Sequence, residues 1–177
     1  MNPNASTDHR RRLLALGLAL AGLMFLTRLG HFSELSRLPD ASWAVFFLAG
    51  FYLRGSARWA FPLLMAEAVL VDFAVITASG MDFWSHYCVS PAYACLVAAY
   101  GVMWIGGSLV RRAYRGLTPA SLGLAALGLV ASVVVCHLIA QGSFYWLSNS
   151  WLGDSVPATR SVAGWWKNYS DWLLPYL

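Results

Sequence analysis

Cys88 lies in the segment Tyr87-Cys88-Val89-Ser90-Pro91-Ala92-Tyr93, and its setting distinguishes it from the other two cysteines. Pro91 is favoured in the first turn of a helix, and Ser90 matches the residue type that caps one. A thiol beside a helix N-terminus feels the positive end of the helix dipole, so its thiolate is favoured and becomes a nucleophile or a soft-metal ligand. The plainer reading of the same residue is an inert thiol. Cys95 and Cys136 fall inside apolar runs and read as packing residues, as does His137 beside Cys136. His86 and His31 lie between apolar runs, where an imidazole can be a second axial ligand, a general base or a hydrogen-bond partner of a cysteine ligand.

Four charged residues are equally conspicuous. Glu67 and Asp72 sit inside an apolar run, where an unpaired carboxylate costs at least a few kcal/mol, so each must face protein and find a partner. Arg28 and Arg160 lie at the edges of such runs. Two readings stand side by side for these four. Asp72 could reach a substrate cavity and Arg160 could clamp an amide or phosphate, or the residues could form an internal ion-pair network.

The elements that must position these groups follow from composition. Of 177 residues, 59% are hydrophobic and only 11% charged, far from the soluble average of about 25% charged. That excludes a soluble monomer, and nine Trp, eight Tyr and nine Phe exclude a disordered chain. A membrane helix needs about 20 mostly apolar residues. Six segments are expected: Arg12–Leu29, Ala41–Leu53, Trp59–Ser79, Pro91–Val110, Thr118–Ala140 and Val162–Tyr176, in a single membrane domain over residues 1–177. The second and sixth are short, and the sixth carries Lys167 and Asp171. Arg10–Arg12 before the first segment imitate a secretory signal, but no small-residue cleavage site follows, so a retained helix is expected.

If the six segments alternate, Arg10, Arg11, Arg12, Arg54, Arg58, Arg111, Arg112 and Arg115 fall on one side. The Lys/Arg bias of short loops makes that side the cytoplasm and puts both termini there. The formal charge of +4 is thereby a topology signal, with no nucleic-acid partner implied. Three longer loops, about Gly30–Asp40, Gly80–Ser90 and Gln141–Ser161, then face outward and carry many aromatics. They are read either as a cap over an outward-open site or as an aromatic belt at the membrane interface. Ala15, Ala19 and Gly22 form a small-residue face on the first helix, fit for close approach of another helix. No phosphate-binding GxxxxGK[ST] loop, HExxH or GxSxG occurs.

Six helices, cytoplasmic termini, the small-residue face and outward loops resemble the substrate-binding S component of energy-coupling-factor vitamin transporters. The segments Leu38–Gly50 and Tyr87–Tyr93 resemble the BtuM family in particular, whose members are related to those S components and are proposed to carry cobalamin. The resemblance implies an all-α integral membrane bundle in a bacterial inner membrane that binds and takes up cobalamin. It implies that Cys88 ligates the cobalt, with decyanation of cyanocobalamin as the catalytic step attached to the same residue. Tyr93 would line the corrin pocket, with His31, Asp72, Arg160 and His86 as polar candidates around it. Ala15 and Ala19 would be the docking face for an energy-coupling module. An S component for another small vitamin, and a membrane enzyme using Cys88 as nucleophile, stay open beside this reading.

Overall fold

In the computed structural model, which describes residues 3–31, 40–86, 89–148 and 160–176, every regular element is helical. α1 covers Pro3–His31, α2 Ser42–Tyr52, α3 Ala57–Ala78, α4 Pro91–Ala94, α5 Leu96–Ala113, α6 Pro119–Leu147 and α7 Val162–Tyr176. Among the described residues, four stretches are long and apolar enough to cross a membrane: Arg10–Leu29, Arg54–Ala78, Pro91–Ala113 and Pro119–Leu147. The described residues thus form an all-α bundle with the long apolar helices of a multi-pass membrane protein. The two segments that looked short are short: α2 has 11 residues and rises about 16 Å, roughly half the hydrocarbon thickness, and α7 has 15.

Most bounds shift by one to three residues, and three departures from expectation are larger or of another kind. α1 begins at Pro3, a residue favoured in the first turn, and Arg10–Arg12, good helix formers, carry the helix beyond the span. The fourth expected segment is interrupted at Cys95, whose N–H donates to the Ala92 carbonyl three residues back and tightens the turn between α4 and α5. α6 runs through Gln141-Gly142-Ser143 to Leu147, so Phe144, Tyr145 and Trp146 are helical and not part of a loop. The polar triplet survives in the helix because it faces α7: the Gln141 amide donates to Asn168 Oδ1, and Gly142 lies against Trp165.

α2 is the centre of the bundle, with Val45, Phe46 and Ala49 fully buried against Met24 of α1 and Ala99, Tyr100 and Met103 of α5. It runs parallel to α5: Phe46 stacks on Tyr100 with ring centroids 4.6 Å apart, and further along Ser108 Oγ donates to the Gly50 carbonyl at 2.9 Å. α6 is antiparallel to α5, with Gly106 beside Ser132 and Val110 beside Gly128. α7 then returns along α6, with His137 Nε2 and the Tyr169 carbonyl 3.2 Å apart. His137 is thus the hydrogen-bonded packing residue its apolar neighbours imply.

This arrangement sorts the charges by end. Arg28, Asp40 and Asp72 meet at one end of the bundle. Arg54 and Arg58 flank the α2–α3 turn and Arg111, Arg112 and Arg115 the α5–α6 connection at the other. Gly17 packs against Leu53, so Arg10–Arg12 continue α1 past that same basic end.

Candidate functional site

The polar end is built around a buried ion pair. Leu20, Met24 and Arg28 recur at four-residue spacing on the inner face of α1, and Ala68, Asp72 and Ile76 do so on α3, so both charged side chains are carried into the protein by the same periodicity that buries the core. Arg28 is 5% and Asp72 2% exposed. The guanidinium grips the carboxylate with two bonds, Nε to Oδ1 at 2.6 Å and Nη2 to Oδ2 at 2.7 Å.

The remaining donors and acceptors are also used. Arg28 Nη1 donates toward Ser42 Oγ (2.8 Å), Tyr100 Oη (3.1 Å) and Asp40 Oδ2 (3.1 Å). Tyr93 Oη donates to Asp72 Oδ2 at 2.6 Å. Asp40 Oδ1 accepts from both the backbone N–H and the hydroxyl of Ser42, which starts α2. Taking two charges out of water costs several kcal/mol per ion, and only a forked geometry with the spare lone pairs satisfied offsets it. One residue on each of α1, α2, α3, α4 and α5 is therefore tied to a single point.

Of the residues singled out from sequence, Asp72 and Tyr93 come together here. Arg28 and Asp72 form the ion-pair network that was one of the two readings for them. His86 is buried just beyond α3, where burial pushes its imidazole below the usual value of 6.5 while the Asp72 carboxylate pulls it upward. Ser90 holds the N-cap position of α4, with Pro91 at the first turn, as expected. Its hydroxyl makes no capping bond and is buried without a partner among the described residues. Cys88 lies outside the described residues. Its flanking residues His86 and Val89 are joined by a bond from the Val89 N–H to the His86 carbonyl at 2.8 Å.

His31 is the last residue of α1, three positions after Arg28, and its side chain is outside the described set. Arg160 stands apart from the ion pair. Its Nη1 donates to the Trp146 carbonyl at 3.0 Å and its Nη2 to the Ser148 carbonyl, closing the C-terminus of α6. Its Nε is buried without a partner among the described residues. Cys136 is buried and Cys95 half-buried, both as free thiols, and no group of three His, Cys, Asp or Glu could hold a metal ion among the described residues.

Glu67 is half-buried midway along α3 with no hydrogen bond or ion pair among the described residues. Glu67→Leu is expected to keep the fold and raise stability by about 1–3 kcal/mol, the cost of an unsatisfied buried polar group. Thermal unfolding in detergent checks this, and a lowered Tm would mean that the carboxyl has a structural partner.

Asp40, Ser42 and Tyr100 complete the cluster without having been candidates. A signal for each exists in the sequence: Tyr100 follows Tyr93 by seven residues, two helical turns, and Asp40-Ala41-Ser42 is a helix-start pattern. A cleft of about 100 Å³ opens beside Arg28, walled by Met65, Ala68, Tyr93, Val97 and Tyr100. That volume holds several waters. No family model matches the chain, and no curated protein matches it significantly.

Proposed function

We propose that the chain binds cobalamin and takes it up across a bacterial inner membrane, as the resemblance of Tyr87–Tyr93 to the BtuM family implies. The observation that supports this most is the anchoring of that segment. Tyr93, its last residue, is bonded to the Arg28–Asp72 pair, and His86, just before it, is buried under the influence of the same carboxylate. Cys88 is thereby bracketed in sequence by residues fixed at the end of the bundle opposite the arginines. The Lys/Arg bias makes the basic end cytoplasmic, so this end faces outward, in an S-component-like bundle of six helices with both termini inside.

In this reading the Cys88 thiolate is the axial donor to cobalt, and cyanide leaves as an anion when the thiolate takes its coordination place. Both Asp72 oxygens are already engaged, so Asp72 positions Tyr93 and leaves the corrin amides to Tyr93, His31, His86 and Arg160. Ala15 and Ala19 are exposed on α1 and remain available for an energy-coupling module. The test is retention of corrin: purified protein is incubated with cyanocobalamin, passed over a desalting column and assayed for cobalt. A stoichiometric amount is expected, and cobalt-free protein would exclude the reading in favour of another vitamin or a thiol enzyme.

A further inference from the structure

At the basic end, a cleft of about 650 Å³ lies between the α2–α3 turn and α5, lined by Arg54, Trp104, Ile105, Ser108, Leu109 and Arg112 among others. Its volume is within the range of ligand pockets, roughly 300–1,000 Å³. Two features give it a chemistry. Arg54 and Arg112 are exposed and have no hydrogen bond or ion pair among the described residues, whereas their neighbours Arg58 and Arg111 sit over the Trp59 and Phe51 rings. No acidic residue occurs between Asp40 and Glu67 or between Asp82 and Asp154, so nothing on the flanking segments neutralises them. The rest of the wall is apolar: the Ser108 hydroxyl is committed to the Gly50 carbonyl, and Ile105 and Leu109 are more than half exposed on the outer surface of α5. The cleft therefore joins two unpaired guanidinium groups to the face that meets hydrocarbon.

We propose that this cleft binds an anionic glycerophospholipid of the cytoplasmic leaflet, its phosphodiester on Arg54 and Arg112 and an acyl chain along Ile105 and Leu109. A guanidinium is the group best suited to phosphate oxygens, and basic pockets between membrane helices on the cytoplasmic side hold anionic headgroups. The continuous apolar wall favours a lipid over free phosphate, which would gain nothing from it.

The test is native mass spectrometry of delipidated protein in detergent given phosphatidylglycerol, phosphatidylcholine of the same chains, or inorganic phosphate. Phosphatidylglycerol is expected to stay bound under activation that strips phosphatidylcholine, and phosphate is expected not to displace it. Arg54→Gln/Arg112→Gln should reduce retention by roughly tenfold or more, while Arg10→Gln/Arg11→Gln, with the same change of charge elsewhere, should not. Leu109→Trp, which fills the cleft and keeps both arginines, should also release the lipid. Equal loss in the two arginine pairs, equal retention of phosphatidylcholine, displacement by phosphate, or full retention in Leu109→Trp would each overturn the proposal.

Discussion

Asp72→Ala is expected to destabilise the protein by about 3–5 kcal/mol, because it leaves Arg28 charged, buried and without its main partner. Tyr93→Phe removes one bond to the same carboxylate and should cost less, about 1–2 kcal/mol. The informative variant is the double replacement Arg28→Met/Asp72→Leu. Buried ion pairs exchanged together for apolar residues of similar size are often neutral in stability, so the double variant should recover most of what Asp72→Ala loses. Unfolding in mild detergent, followed by tryptophan fluorescence, measures all three. If the double variant lost as much as Asp72→Ala or more, the pair would not be acting as a unit. The double variant should fold and yet release Tyr93 from its anchor, which separates the role of the pair in stability from its role in holding the Tyr87–Tyr93 segment.

The second large effect lies in the seam between α2 and α5. A Cβ on Gly107 would collide with the Phe47 carbonyl and the Phe51 nitrogen, and one on Gly50 with the Trp104 carbonyl. These obstacles are backbone atoms, so relief requires the helices to separate. Gly107→Ala is expected to cost about 3 kcal/mol or more, at the upper end of overpacking effects, and Gly107→Leu to prevent assembly. Gly22→Ala on α1 is the control: a Cβ there meets nothing within 4 Å, so the change should be neutral or slightly stabilising. The seam also reaches the site, since Phe46 of α2 stacks on Tyr100 of α5, which accepts from Arg28. Displacing α2 should therefore loosen the ion pair more than a substitution elsewhere of equal cost.

Much of the fold was legible because membrane helices announce themselves by long apolar runs. α7 matches its expected bounds, Val162–Tyr176, and α3 differs by only a residue or two. Long-range pairing was harder to read. Arg28 and Asp72 are 44 residues apart, and nothing in their local patterns says that they meet; only the cost of unpaired charge in an apolar run pointed to partners. The continuation of α6 was missed because Gln141, Gly142 and Ser143 look like a break, and their pairing with Asn168 and Trp165 belongs to a helix 20 residues further on. Arg160, expected as a ligand clamp, spends two of its donors closing the end of α6, a capping role that its position before a helix did not reveal. Glu67 and Asp72 show the limit of local reading: one turn or so apart on the same helix, the first lacks a described partner and the second has two.

The visible absorption spectrum of purified protein loaded with cyanocobalamin, compared with that of Cys88→Ala, tests the central proposal most directly. Cobalt ligation by the thiolate predicts a corrin spectrum shifted from that of free cyanocobalamin in the native chain, and no such shift in Cys88→Ala. A bound corrin with the same spectrum in both proteins, or a native chain that leaves cyanocobalamin unchanged, would contradict it.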